Sequence, residues 1–171
     1  CNNTSRNQNA GKEENQKKEE HVKIPPFNAD SAYAFVKAQV DFGPRVCNSK
    51  AHEKCADFLI NKLKQYCANV IVQKGQVKAF DGTSLGFRNI IGSFNPGTNN
   101  RIFICSHWDS RPFADHDPDV KKRNTPIDGA NDGASGVGIL LEVARQLSIA
   151  KPDIGVDIIF LDAEDYGPPD D

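Results

Sequence analysis

Residues 101–110 read RIFICSHWDS and residues 156–165 read VDIIFLDAED. Each opens on a short, almost continuous apolar run, RIFIC at Arg101–Cys105 and VDIIFL at Val156–Leu161, as expected for a strand covered on both faces. Residues 106–132 lie between them and are polar and rich in Pro, Asp and Gly. A loop of that length in a compact domain usually carries function. From Ala134 to about Ser148, Val137, Leu140, Leu141, Ala144 and Leu147 recur on one side of a helix. Strand, loop, helix, strand in that order predicts a parallel crossover unit, with helices packed on a mostly parallel sheet.

Upstream, the pattern is helix, helix, strands. Asn28 or Asp30 is placed to cap a helix reaching Val40, with Ala32, Phe35, Val36 and Val40 apolar, and Phe42-Gly43-Pro44 breaks it. A second helix is predicted from about Ser49 to Gln65, with Cys55, Phe58, Leu59 and Leu63 as its stripe. Val70–Val72 and Gln76–Phe80 read as one strand or a pair. Asp81-Gly82 is a hairpin-type turn, a strand follows across Gly86–Phe94, and Asn95-Pro96-Gly97 turns it.

Composition narrows the function classes. Lys+Arg 21 against Asp+Glu 23 leaves a formal net charge of −2 over 171 residues, so no strong field recruits nucleic acid or an anionic membrane. No apolar stretch approaches the roughly 18 residues of a transmembrane helix. Cys47, Cys55, Cys67 and Cys105 lack CxxC or Cys/His spacing, which argues against a Cys-rich zinc site, and Cys105 reads as core. Residues 1–20 carry four basic and four acidic side chains but only two hydrophobic ones, Cys1 and Ala10. Residues 1–24 are therefore expected to be a disordered tether. The sequence contains no Met and starts at Cys1. A processed Cys ahead of a polar tether resembles a mature bacterial lipoprotein. On that reading Cys1 is a lipid anchor, and the protein is exported to the periplasm or cell surface and touches the membrane through the anchor alone. The alternative is that Cys1 has no such role. The chain stops at GPPDD (167–171), directly after an acidic cluster. Residues 25–171 are therefore expected to be the N-terminal part of a domain incomplete at its C-terminus.

Three clusters fall where ligands gather in open α/β sheets, beyond the carboxyl ends of the strands. They are His107-Trp108-Asp109, Asn131-Asp132-Gly133 and Asp162-Ala163-Glu164-Asp165. Singly each has an ordinary explanation: an Asp before a helix is commonly an N-cap, an acidic pair after a strand is commonly a solvated turn, and a His at a strand end is commonly structural. Together at one edge, the carboxylates repel unless a cation neutralises them. Carboxylate oxygen with histidine nitrogen is a ligand set that suits zinc.

The segments HWDSRPFADHDPD, DGANDGASGVGILLEVARQL and VDIIFLDAEDYGPPDD resemble the zinc-dependent aminopeptidase and glutaminyl cyclase superfamily, and most resemble bacterial glutaminyl-peptide cyclotransferases. FGPRVCNSKAHEKCADFLINKL and FRNIIGSF extend the resemblance upstream to about residue 28. It implies a three-layer α/β/α sandwich with a mixed, mostly parallel central sheet. It also implies that Asp132 and Asp165 are metal ligands and that Glu164 is the general acid/base. His107 and Asp109 match the family's H-x-D element, with His107 a second-metal ligand in two-zinc aminopeptidases and a structural neighbour in single-zinc cyclases. The aminopeptidases usually show Glu-Glu where this chain has Glu164-Asp165, so the Asp is more cyclase-like. The family's remaining ligand is a His far downstream, and this chain has only His21, His52, His107 and His116.

The implied reaction closes an N-terminal glutamine onto itself. The α-amine attacks the γ-carboxamide carbon and ammonia leaves, with zinc polarising the amide oxygen and Glu164 moving the proton. Peptides or proteins with N-terminal glutamine are the expected partners. Two other functions stay open: a zinc aminopeptidase, in which Glu164 activates water against the first peptide bond, and a non-catalytic binding lipoprotein with the same fold.

Overall fold

The computed structural model describes residues 24–168. Cys1 and residues 1–23 of the expected tether lie outside the described residues. Helix α1 (Ala29–Val40) is capped by Asn28, whose side chain accepts the Ser31 N–H at 2.9 Å. Helix α2 (Lys50–Tyr66) starts at Ser49, which accepts the His52 N–H at 3.1 Å. β1 (Asn69–Lys78) and β2 (Ser84–Phe94) form an antiparallel hairpin through the Asp81-Gly82 turn. β3 (Arg101–His107), α3 (Ala134–Ile149) and β4 (Gly155–Leu161) follow, and β3 pairs parallel to β4 as the crossover reading expects.

The sheet is mixed, in the order β1-β2-β4-β3, with β4 antiparallel to β2. β1 is one strand rather than a pair. Its polar middle, Gln73-Lys74-Gly75, stays in register opposite Asn89, Arg88 and Phe87.

The core lies on one face. Ile90, Phe94, Val156, Ile158 and Phe160 point from the sheet into Phe35 of α1, Leu59 and Leu63 of α2, and Val137, Leu141 and Ala144 of α3. Helices α2 and α3 pack on that face, α1 packs against α3, and a second helical layer is not among the described residues. This corrects the reading of RIFIC as covered on both faces. Phe103 is 69% exposed, Ile102 is 50% exposed, and Cys105 is exposed rather than core. Strand alternation sends Phe103 and Cys105 away from the helices, and β3 is the last strand of the described sheet. No helix of the described residues is long and apolar enough to cross a membrane.

Candidate metal centre

The parallel pairing of β3 with β4 sets the site. His107 lies opposite Leu161 in the register, so the segments leaving both strands emerge at the same edge. The Trp108 N–H donates to Leu161 O at 3.0 Å and keeps them together for one residue more. Asp132 arrives from the loop that enters α3. The N-cap of that helix is Gly133, which makes no side-chain capping bond. Asp132 is therefore not spent on capping; it faces His107 Nε2 at 2.9 Å instead. Gly133 has φ +85°, and a Cβ there would lie 2.9 Å from Asp109 O and 3.0 Å from the His107 ring, so this approach needs glycine.

After β4 the chain turns sharply at Ala163, whose φ of 61° is a left-handed conformation that alanine adopts at a cost. The turn delivers Glu164 and Asp165 onto Asp109. That carboxylate is 1% exposed and accepts the Glu164 N–H at 3.3 Å and the Asp165 N–H at 3.0 Å. Asp109 thus holds the loop backbone, and the side chains of Glu164 and Asp165 remain available.

Ligand atoms of His107, Asp132 and Asp165 all lie within 4.8 Å of one another. Two buried atoms there lack hydrogen-bond partners, His107 Nδ1 and Asp165 Oδ2. His107 Nδ1 is 3.6 Å from both Asp109 Oδ1 and Glu164 Oε2. Native interiors rarely leave buried polar atoms unpaired without a reason such as an ion. An imidazole and two carboxylates grouped this closely, two of the three residues carrying an orphaned buried atom, are a fitting donor set for a dication. Glu164 differs from its neighbour: its side chain is 61% exposed.

The electrostatics carry the same message. Asp109 above all, then Asp132 and Glu164, push the His107 pKa up to about 9 against the opposing effect of burial. Burial, then repulsion from Asp132 and Asp109, pushes the Asp165 carboxyl up to about 6. Without a metal the imidazolium is the cation among these carboxylates.

The long loop forms the wall beside the site. A cleft of about 670 Å³ is bounded by Arg111, Phe113, Asp115, Ile127, Asp132 and Asp165. Arg111 pairs with Asp115 and donates to Asp165 O and Pro168 O, strapping the segment after β4 to this loop.

Beneath the site is a second polar group that the sequence reading did not single out. The Asp162 side chain is fully buried, bonds His52 Nε2 at 2.9 Å and accepts the Arg88 N–H at 2.6 Å. His52 stacks on buried Trp108 with ring centroids 4.4 Å apart. Cys47 Sγ lies 3.7 Å from Asp162, and burial, then Asp162, pushes its thiol pKa well above the ordinary value. Asp162 is already bonded within the protein, so this cluster braces the fold. Asp162 is visible in the sequence only as part of an acidic turn.

Residues 89–168 match the model of peptidase family M28. The chain is 57% identical, with a TM-score of 0.85, to a Zn-dependent exopeptidase from Parabacteroides distasonis, over 86% of this chain and 51% of that one. In fold and in the residues of the site the chain resembles zinc-dependent exopeptidases and glutaminyl cyclases. Among the bacterial glutaminyl cyclases it is similar to, the Tannerella forsythia enzyme is 54% identical, with a TM-score of 0.84, over 85% of this chain and 50% of that one. A glutaminyl-peptide cyclotransferase of Bos taurus is 32% identical over 89 residues, 46% of this chain and 23% of that protein. The chain spans about half the length of the solved relatives it matches.

Proposed function

We propose that the protein is a zinc-assisted glutaminyl-peptide cyclotransferase that converts the N-terminal glutamine of peptides to pyroglutamate and releases ammonia. The observation that carries this reading is the division between two neighbours on one turn. Asp165 carries a buried, unpartnered oxygen, whereas Glu164 is exposed, its N–H held by Asp109 and its Oε2 3.6 Å from His107 Nδ1. The similarity to the Tannerella forsythia glutaminyl cyclase supports it.

Asp132 and Asp165 would hold the zinc, with His107 beside them. Bound zinc would supply Lewis acidity toward the substrate amide oxygen. Glu164 would take a proton from the substrate amine as its nitrogen attacks the γ-carboxamide carbon, and deliver it to the departing nitrogen. One C–N bond forms, one breaks, and no water is consumed. The 111–117 part of the loop would bound the substrate from the cleft side.

One feature favours a second reading. His107 Nε2 stands 2.9 Å from Asp132 Oδ1, where it could join a second ion, and the similarity extends to a Zn-dependent exopeptidase. An aminopeptidase would use the same Glu164 on a water. Ammonia release from a Gln-initiated dipeptide, run beside hydrolysis of an aminoacyl amide, separates the two. Ammonia from the Gln-initiated dipeptide without hydrolysis of the aminoacyl amide is expected; hydrolysis of the aminoacyl amide with no ammonia from the dipeptide overturns the cyclase reading.

A further inference from the structure

Arg45 stands in the connection between α1 and α2, far from the site in sequence, yet its side chain is fully buried beneath it. Its guanidinium faces no carboxylate within ion-pair distance among the described residues. It donates to three carbonyls instead: Nε to Trp108 O at 3.0 Å, Nη1 to Asp128 O at 2.7 Å and Nη2 to Gly129 O at 2.9 Å. Its backbone is pinned as well, with the Arg45 N–H on Ser110 Oγ at 2.8 Å and the Ser110 N–H on Arg45 O at 3.3 Å. A buried cation is costly, and three charge-assisted bonds from one rigid fork are what offset that cost.

The bonded carbonyls fall at telling places. Trp108 O lies between His107 and Asp109. Gly129 O also accepts the Ala134 N–H at 3.2 Å, at the start of α3, two residues beyond Asp132. Gly129 has φ +56°, and a Cβ there would come within 2.9 Å of Arg45 Nη2 and 2.7 Å of Asp132 O. Two segments that carry site residues are thus fastened to one planar group.

We propose that Arg45 is a positioning residue of the metal centre: its guanidinium clamps the 108–110 segment to the 128–129 segment and so fixes Asp132 relative to His107 and Asp109. The role rests on the ligand assignment above and not on whether the reaction is cyclisation or hydrolysis. Lysine keeps the charge but cannot span three carbonyls with a planar fork.

The test compares Arg45→Lys, Gly129→Ala, Ser110→Ala and Asp132→Ala with the unmutated full chain. Zinc affinity is measured by chelator competition, the Co(II)-substituted absorption spectrum reports ligand geometry, and circular dichroism shows which variants fold. Arg45→Lys is expected to bind zinc ~10–100-fold more weakly, the range for groups that orient metal ligands, and to shift the Co(II) bands, which a purely structural residue would leave in place. Gly129→Ala crowds Asp132 O as well as the same guanidinium and is expected to shift both readouts in the same direction. If Arg45→Lys does not fold, Ser110→Ala decides the matter, because it removes the oxygen that accepts the Arg45 N–H and leaves Asp132 untouched. Unchanged affinity and spectrum in the folded variant overturn the clamp alone. Unchanged affinity in Asp132→Ala overturns the ligand assignment, and the clamp falls with it.

Discussion

At the ends of β3 and β4, the carboxylates of Asp132, Glu164 and Asp165 crowd around His107, and buried atoms of His107 and Asp165 are left unpartnered, whereas Asp109, Asp162, His52 and Arg45 beneath them are bonded to ring, backbone or both. The two tiers use the same residue types for opposite ends. A satisfied buried network is rigid and specifies one arrangement. The upper tier keeps its polar capacity for something the protein does not itself provide. The comparison teaches that chemical competence here lies in what is left unbonded, and that the lower tier makes this tolerable by fixing the backbone.

The largest expected effects break the upper tier. Asp165→Ala and Asp132→Ala should each remove zinc, seen by metal analysis, and activity with it. Circular dichroism should remain near that of the unmutated protein, because neither side chain braces the sheet. Retained zinc in both would mean that the two tiers have been wrongly divided.

Next in size, Glu164→Gln should slow ammonia release ~10²–10⁴-fold, the usual cost of losing general acid/base catalysis, with zinc content intact. Gln keeps the shape of Glu but cannot carry a proton at neutral pH. Zinc loss here would show that Glu164 and Asp165 have exchanged roles.

The lower tier should answer differently. Asp162→Ala strands the His52 ring nitrogen and the Arg88 N–H in a buried position, and leaving a buried group unsatisfied costs about 1–3 kcal/mol. Thermal unfolding should show that loss, with zinc affinity in the folded protein changed far less than in Asp165→Ala. An effect on zinc as large as that of Asp165→Ala would erase the distinction between the tiers.

These tiers were unequally legible in the sequence. The upper one could be read because strand ends in an α/β sheet gather ligands, so His107, Asp132, Glu164 and Asp165 stood out together. Asp132 alone was ambiguous with an N-cap until Gly133 was seen to take that place. Arg45 sits in a Gly-Pro breaker with no periodicity to mark it, and its carbonyl partners leave no trace in side-chain types. His52 lay on the buried side of α2, where a polar residue in an apolar stripe gives no sign of its partner. The RIFIC run revealed that β3 is apolar. It did not reveal which face meets helices, because that depends on neighbours far along the chain.

The smallest expected effect concerns pH, and its sign separates a metal-free upper tier from a loaded one. Asp165 holds its proton up to about pH 6 when folded, against an ordinary 3.8, so the folded state binds more protons than the unfolded one over that interval. Stability from this group therefore falls as pH rises from about 4 to 6. His107, raised from 6.5 to about 9, adds stability that is fully present below 6.5 and is lost as pH climbs through 9. Both groups make the metal-free protein less stable as pH increases. Zinc reverses the sense, because its ligands must be deprotonated to bind it and binding to the folded state alone stabilises by mass action. The gap in Tm between zinc-loaded and chelator-treated protein should therefore widen from pH 5 to pH 8. A gap that stays constant or narrows would mean that zinc is not held by these titrating groups, and the division between an unbonded upper tier and a bonded lower one would have to be redrawn.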